Sequence, residues 1–160
     1  MIIEIPREVL ERIHLHGENS YPEEGAGLLL GRIEIERKRV EDILALPNAR
    51  EDEARRNRYL LSPEDYLKGE DEAASRGLEV IGAFHSHPDH PELPSDFDQE
   101  WAWPAFSYLI TSIRNGKAVA SRSWCLRDDR STFIEERTVI VDPADQLAEE
   151  SKDQGKLEPL

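Results

Sequence analysis

Residues 78–88 read Leu-Glu-Val-Ile-Gly-Ala-Phe-His-Ser-His-Pro. Leu78, Val80, Ile81, Ala83 and Phe84 make a short apolar run behind a helix stop at Gly77, which predicts a buried strand ending at the histidines. Side chains two apart on a strand share a face, so His85 and His87 can grip one ion. Pro88 bars further ladder pairing and turns the chain into a loop. Asp98, after ten intervening residues, is close enough for that loop to double back and offer an oxygen. Two imidazoles and one carboxylate leave a fourth tetrahedral position open, the arrangement of catalytic rather than closed structural zinc. One zinc ion per chain is the expected cofactor, although iron or manganese suits a similar donor set.

Hydrolysis also needs a proton acceptor that is not itself a ligand. Pro22-Glu23-Glu24-Gly25 stands just ahead of the apolar, glycine-flanked run 26–31, and Glu24 is the expected general acid/base. If that run forms a strand beside the histidines, Glu24 can take the proton of an attacking water and hand it to the leaving amine. Ser95, three residues before Asp98, is the second expected catalytic group, donating to the developing oxyanion.

Glu24 before Gly-Leu-Leu-Leu-Gly, then His85-Ser86-His87-Pro88, then Pro94-Ser95-Asp96-Phe97-Asp98 resembles the JAMM (MPN-plus) metalloprotease family in its compact prokaryotic form. The likeness runs from about residue 3 to 141 and takes in Asn48, the stretch 58–63 and Tyr108-Leu109-Ile110. It implies an α/β fold with a single mixed, partly curled β-sheet flanked by helices, similar to cytidine deaminases. It also implies a zinc-dependent peptidase or isopeptidase acting after the C-terminal Gly-Gly of a ubiquitin-like or sulfur-carrier protein. Compact bacterial members usually carry a cysteine shortly after the glutamate, where this chain has Gly25-Ala26, so no thiol acts there. The insertions with which ubiquitin-chain-cleaving relatives hold two ubiquitins are absent, which makes polyubiquitin a poor substrate. A catalytically silent scaffold of the same fold typically lacks a ligand or the glutamate, and none is missing here.

Blander readings attach to several of these residues. His14-Leu15-His16 has the same spacing as the site pair but falls in a helical pattern, where positions two apart diverge by about 200°. Ser95-x-x-Asp98 is equally a helix-start signature, compatible with a ligand fixed in a first helical turn. Glu23 suits a solvated turn carboxylate better than Glu24 does, and His90 suits an exposed loop. The string His85-Ser86-His87-Pro88-Asp89-His90 also matches the two-metal motif of the metallo-β-lactamase fold. That fold needs further histidines downstream, and none follows His90.

A chain of 160 residues, 38% apolar and 34% charged, suits one soluble domain, expected over 1–142, with an acidic, frayed tail over 143–160. No apolar stretch is long enough to span a bilayer and the N-terminus is not a signal peptide, so a cytoplasmic location is expected. The net charge of −14 disfavours nucleic acid and anionic membrane as partners. Cys125 is the only cysteine, which excludes an internal disulfide and a Cys-rich zinc knuckle, and it reads as an inert buried thiol. Oligomeric state and substrate-binding residues are not legible.

Strands are expected over 2–5, 26–34, 40–46, 107–113, 118–126 and 132–141, with Asn115-Gly116 turning a hairpin. Helices are expected over 6–17, from Ser62-Pro63-Glu64-Asp65 to Gly77, and over 95–103. The charged stretch 51–57 borders the presumed cleft. Trp101 and Trp103 are expected to wall that cleft, with core packing for at least one of them. A glycine tail is expected to bond through its main chain to a strand edge between narrow walls.

Overall fold

A computed structural model describes residues 1–47, 61–145 and 151–152. The chain order is β1 (Ile2–Pro6), α1 (Arg7–Ser20), β2 (Ala26–Ile33), β3 (Arg37–Leu46), α2 (Pro63–Ser75), β4 (Glu79–Pro88), α3 (Asp96–Trp101), β5 (Ser107–Arg114), β6 (Lys117–Leu126) and β7 (Phe133–Val141). Asn48, the charged stretch 51–57 and residues 58–60 lie outside the described residues. Of the expected tail, residues 143–145 and 151–152 are helical and the others lie outside the described residues.

The seven strands close in the order β1-β3-β2-β4-β5-β6-β7. The expected partly curled, helix-flanked sheet is thus a closed barrel. Closure comes from β1, which pairs parallel with β3 through Ile2↔Arg37 and parallel with β7 from Ile2↔Arg137 to Pro6↔Val141. Ile3 and Ile5 are fully buried between those partners and join Val9 and Ile13 of α1, Leu29, Ile81, Phe84 and Leu109 in one core. Leu28 and Leu30 face the other way and pack with Val80 and Ala73 of α2 in a second cluster. Burial on both faces explains why β2 reads as an unbroken apolar run rather than an alternation.

Local chemistry sets the boundaries. Ser62 Oγ accepts from Asp65 N and the Asp65 carboxylate accepts from Ser62 N, a capping box with Pro63 in the first turn. Gly77, at φ +66°, turns the chain out of α2 as expected. Asn115 and Gly116 both have positive φ, the backbone a tight hairpin demands. The first helix runs on past Gly17 to Ser20. A Cβ at Gly17 would come within 3.0 Å of Ile113 Cδ1, so the glycine serves close packing there and not helix termination.

Candidate metal centre and cleft

β4 is paired on both sides where it carries the histidines, antiparallel to β2 through Ala26↔His85 and parallel to β5 through His85↔Ile110 and His87↔Ser112. The pairing makes a rigid platform on which His85 and His87, both buried, present their rings to the same side. Their Nε2 atoms stand 3.1 Å apart. Asp98 completes the group, with Oδ1 3.2 Å from His85 Nε2 and Oδ2 3.3 Å from His87 Nε2. Four-coordinate zinc with bonds of about 2.0–2.1 Å to tetrahedral ligands spaces its donor atoms by about 3.3 Å. The two imidazole nitrogens and the carboxylate oxygens stand close to that spacing, and one donor atom from each of the three residues lies within 4.8 Å of the other two, a group that could hold a metal ion.

The surrounding bonds fix the donors in place. His87 Nδ1 lies 2.8 Å from Pro91 O, an acceptor to which its ring donates, and this contact orients the ring with Nε2 toward Asp98. Asp98 sits at the third position of α3, whose cap is reciprocal: Ser95 Oγ accepts from Asp98 N at 3.1 Å, and Asp98 Oδ2 accepts from Ser95 N at 2.8 Å. Burial would raise the Asp98 carboxyl. His85, the hydrogen bonds to both imidazoles and the Ser95 amide outweigh burial and hold it far below the ordinary carboxylate range. Cap and ligand are therefore one arrangement, with the Ser95 hydroxyl spending its lone pair on the cap and not its proton.

Glu24 is 6% exposed, whereas Glu23 points to solvent. Its turn is pinned to the histidine strand between the two imidazoles: Ser86 N donates to Gly25 O at 2.9 Å, and Ser86 Oγ accepts from Gly25 N at 2.8 Å. Sequence reasoning missed this link through Ser86, although the signal was there, a small hydroxyl between the two candidate ligand histidines.

Other histidines take the blander roles. His14 Nε2 is 2.9 Å from Ser121 Oγ, and His16 meets Phe84 edge-on, with burial lowering the pKa of both. Asp89 accepts from Tyr21 Oη at 2.6 Å and from Asn115 N at 2.9 Å, and His90 is exposed. Among the described residues neither joins the metal cluster, which comprises His85, His87 and Asp98 alone, so the two-metal reading has no support.

His85 and Asp98 also line an open cleft, with Leu61, Phe97, Trp101, Trp103 and Tyr108 among its other walls. Trp101 and Trp103 are 55% and 43% exposed, so neither is a core residue, contrary to expectation for at least one of them. Trp103 instead meets Tyr66 and Phe106 edge-on. Trp103 N donates to Tyr108 Oη at 2.7 Å, and burial pushes the Tyr108 phenol up to about 12, so it stays protonated.

A buried polar cluster escaped the sequence reading. Lys38 Nζ donates to Ala105 O at 2.8 Å and Ser107 Oγ at 2.7 Å, and lies 3.6 Å from Glu136 Oε2. Cys125 Sγ is 3.5 Å from Lys38 Nζ and donates to Phe106 O at 3.2 Å. Burial, reinforced by Glu136, raises the thiol pKa and favours the protonated form, although Cys125 is half-buried and not, as expected, fully buried.

Comparison with known proteins agrees with this geometry. The family model described as prokaryotic homologs of the JAB domain matches residues 6–127. The chain belongs to that family. It is 35% identical over 110 residues, 69% of this chain and 70% of the relative, to a probable TtuB-protein conjugate cleaving protease of Thermus thermophilus. It is 40% identical over 55 residues, 34% of this chain and 40% of the relative, to a desampylase of Haloferax volcanii. A solution structure of a Desulfitobacterium hafniense protein superposes with a TM-score of 0.77 at 28% identity, covering 88% of this chain and 93% of that one. The chain is a hydrolase of the JAB protease class. No helix among the described residues is long and apolar enough to cross a membrane.

Proposed function

We propose that this chain is a zinc-dependent isopeptidase that cleaves the amide bond after the C-terminal Gly-Gly of a ubiquitin-like or sulfur-carrier protein. The observation that carries the metal is the convergence of His85, His87 and Asp98, whose donor atoms, one from each residue, lie within 4.8 Å of one another. His85, His87 and Asp98 would hold the zinc, which when bound would supply Lewis acidity toward the scissile carbonyl and toward water. Glu24 accepts the proton of the attacking water and delivers it to the departing amine, a task suited to a carboxylate held in a buried turn. The Ser95 hydroxyl donates to the oxyanion as the carbonyl becomes tetrahedral. The aromatic cleft receives the tail and excludes water from the reacting bond.

Relatives named for cleaving TtuB-protein conjugates and for desampylation support a protein conjugate as the substrate. The test joins elemental analysis of protein purified without added metal to incubation with isopeptide-linked conjugates of ubiquitin-like proteins from the same organism. One equivalent of zinc and release of an intact Gly-Gly terminus are expected. A metal-loaded protein that leaves every such conjugate intact overturns the reading.

A further inference from the structure

α3 carries the ligand Asp98 and the cleft residues Phe97 and Trp101, yet it is six residues long and buries none of them. A helix this short has little stability of its own, so outside contacts must hold it. Its N-terminus is closed by the Ser95–Asp98 box. Its C-terminus is closed from a distant part of the chain, the hairpin joining β6 to β7. The Arg130 guanidinium donates to Ala102 O at 2.8 Å through Nη1, and to Glu100 O at 3.1 Å and Gln99 O at 3.3 Å through Nη2. Gln99 returns the contact, its Nε2 donating to Ser131 O at 2.8 Å and Arg130 O at 3.1 Å.

Carbonyls at a helix C-terminus lack partners within the helix and carry partial negative charge, which a guanidinium with several donors matches well. Arg130 adopts φ +61°, a left-handed backbone uncommon outside glycine, at the point where its own carbonyl receives Gln99. Ser131 N and Oγ both donate to Asp129 Oδ1, at 3.0 and 2.6 Å, so the hairpin tip is itself braced. The bonds run both ways between α3 and the tip, which ties the orientation of the helix to a hairpin that contributes no ligand.

We propose that Arg130, with Gln99 as its counterpart, is a positioning residue for the metal ligand Asp98 and for the Trp101 wall of the cleft. The inference rests on the metal reading above. Release of the clasp leaves α3 anchored at its N-terminus alone, so the carboxylate samples positions beyond reach of the two imidazoles. Loss of a group that orients a ligand characteristically weakens metal binding by about 10–100-fold.

The test is zinc affinity, read by competition with a chromogenic chelator, for the full chain and for Arg130→Ala, Arg130→Lys and Gln99→Ala, alongside the thermal midpoint of each metal-free protein. Arg130→Ala is expected to bind zinc about 10–100-fold more weakly, with Arg130→Lys between it and the unsubstituted chain. Gln99→Ala is expected to show a smaller loss in the same direction, and it remains informative if Arg130→Ala does not fold. Unchanged zinc affinity in Gln99→Ala and in the folded Arg130 variants, with only the midpoint lowered, assigns the clasp to stability alone and overturns the inference. An unsubstituted chain that binds no zinc overturns the metal reading, and the inference with it.

Discussion

Ser86 Oγ accepts a hydrogen bond from Gly25 N at 2.8 Å, which fastens the residue after Glu24 to the residue between His85 and His87. The proposed proton shuttle and the proposed ligands thus share a single cross-strand link. Glu24→Gln keeps the shape of the side chain and removes its basicity, so turnover should fall by at least 10²-fold, the low end for general acid–base catalysis, while zinc content stays at one equivalent. Ser86→Ala removes the buried hydrogen bond from Gly25 N, worth about 1 kcal/mol, and should lower kcat by about fivefold. Glu24→Gln with full activity would sink the assignment of the base and leave the metal site standing.

Metal removal offers a second check, independent of any substrate. Zinc that binds only the folded chain at 100 times its Kd adds about 2.7 kcal/mol, which for a domain of this size moves the thermal midpoint by about 5–10 °C. A chelator should reverse that shift, and Asp98→Asn or His87→Ala should show little of it. An equal zinc-induced shift in Asp98→Asn would remove Asp98 from the ligand set.

How much of this was legible beforehand follows from where the information lies. His85, His87, Ser95 and Asp98 come from thirteen or so consecutive residues whose spacing carries its own geometry, period two on a strand and then a capping box on a helix. The Ser62 cap and the Asn115-Gly116 turn were readable for the same reason. Barrel closure was not, because Ile3 and Thr138 pair across more than a hundred residues and nothing local in either strand names its partner. Trp101 and Trp103 were readable as cleft walls, whereas Leu61 and Tyr108 reach the cleft only through the way distant segments come together. The Arg130 clasp joins a hairpin tip to a helix end, and an arginine in a polar loop gives no hint of it.

His14 and His16 make stability depend on pH. Burial lowers both from the ordinary value of 6.5, and for His14 it prevails over Glu18 and Glu11 on its own helix, while Ser121 is its partner from β6. In the window between the folded and unfolded values the unfolded chain binds more protons, so stability is whole above about pH 6.5 and falls as pH drops below it. Asp129 and Asp142 are lowered from 3.8, so their contributions are lost only at more acid pH. Urea midpoints of the metal-free protein at pH 7.5 and 5.5 should therefore differ, with the lower value at pH 5.5. The His14→Gln/His16→Gln variant should narrow the gap, and an undiminished gap would place the titrating groups elsewhere.

The proposed Gly-Gly tail carries its own prediction about substrate. Aromatic walls close to the reacting bond leave the tail's last residues to pass His85 and Asp98 as bare backbone. A conjugate whose penultimate glycine is replaced by tryptophan should not be cleaved, whereas a substitution on the far globular face of the same modifier should be tolerated. Equal turnover of the two would mean that the slenderness of the tail is not what this cleft selects.

The Lys38–Glu136 pair spans β3 and β7 inside the barrel, with both side chains 4% exposed and 3.6 Å between the charged atoms. Ion pairs this deep gain little over a hydrophobic pair, because each charge gives up its hydration, but losing one partner strands the other. Lys38→Met should therefore destabilise the protein by about 3–5 kcal/mol. The loss has two sources, since Ala105 O and Ser107 Oγ also lose the donor that ties the chain after α3 to the barrel. Combining it with Glu136→Leu removes the stranded carboxylate as well as its Ser123 bond, and should recover most of that loss in a denaturant titration. If Lys38→Met alone proves as stable as the double variant, the carboxylate is being satisfied without the ammonium, and the pair is not what joins these strands.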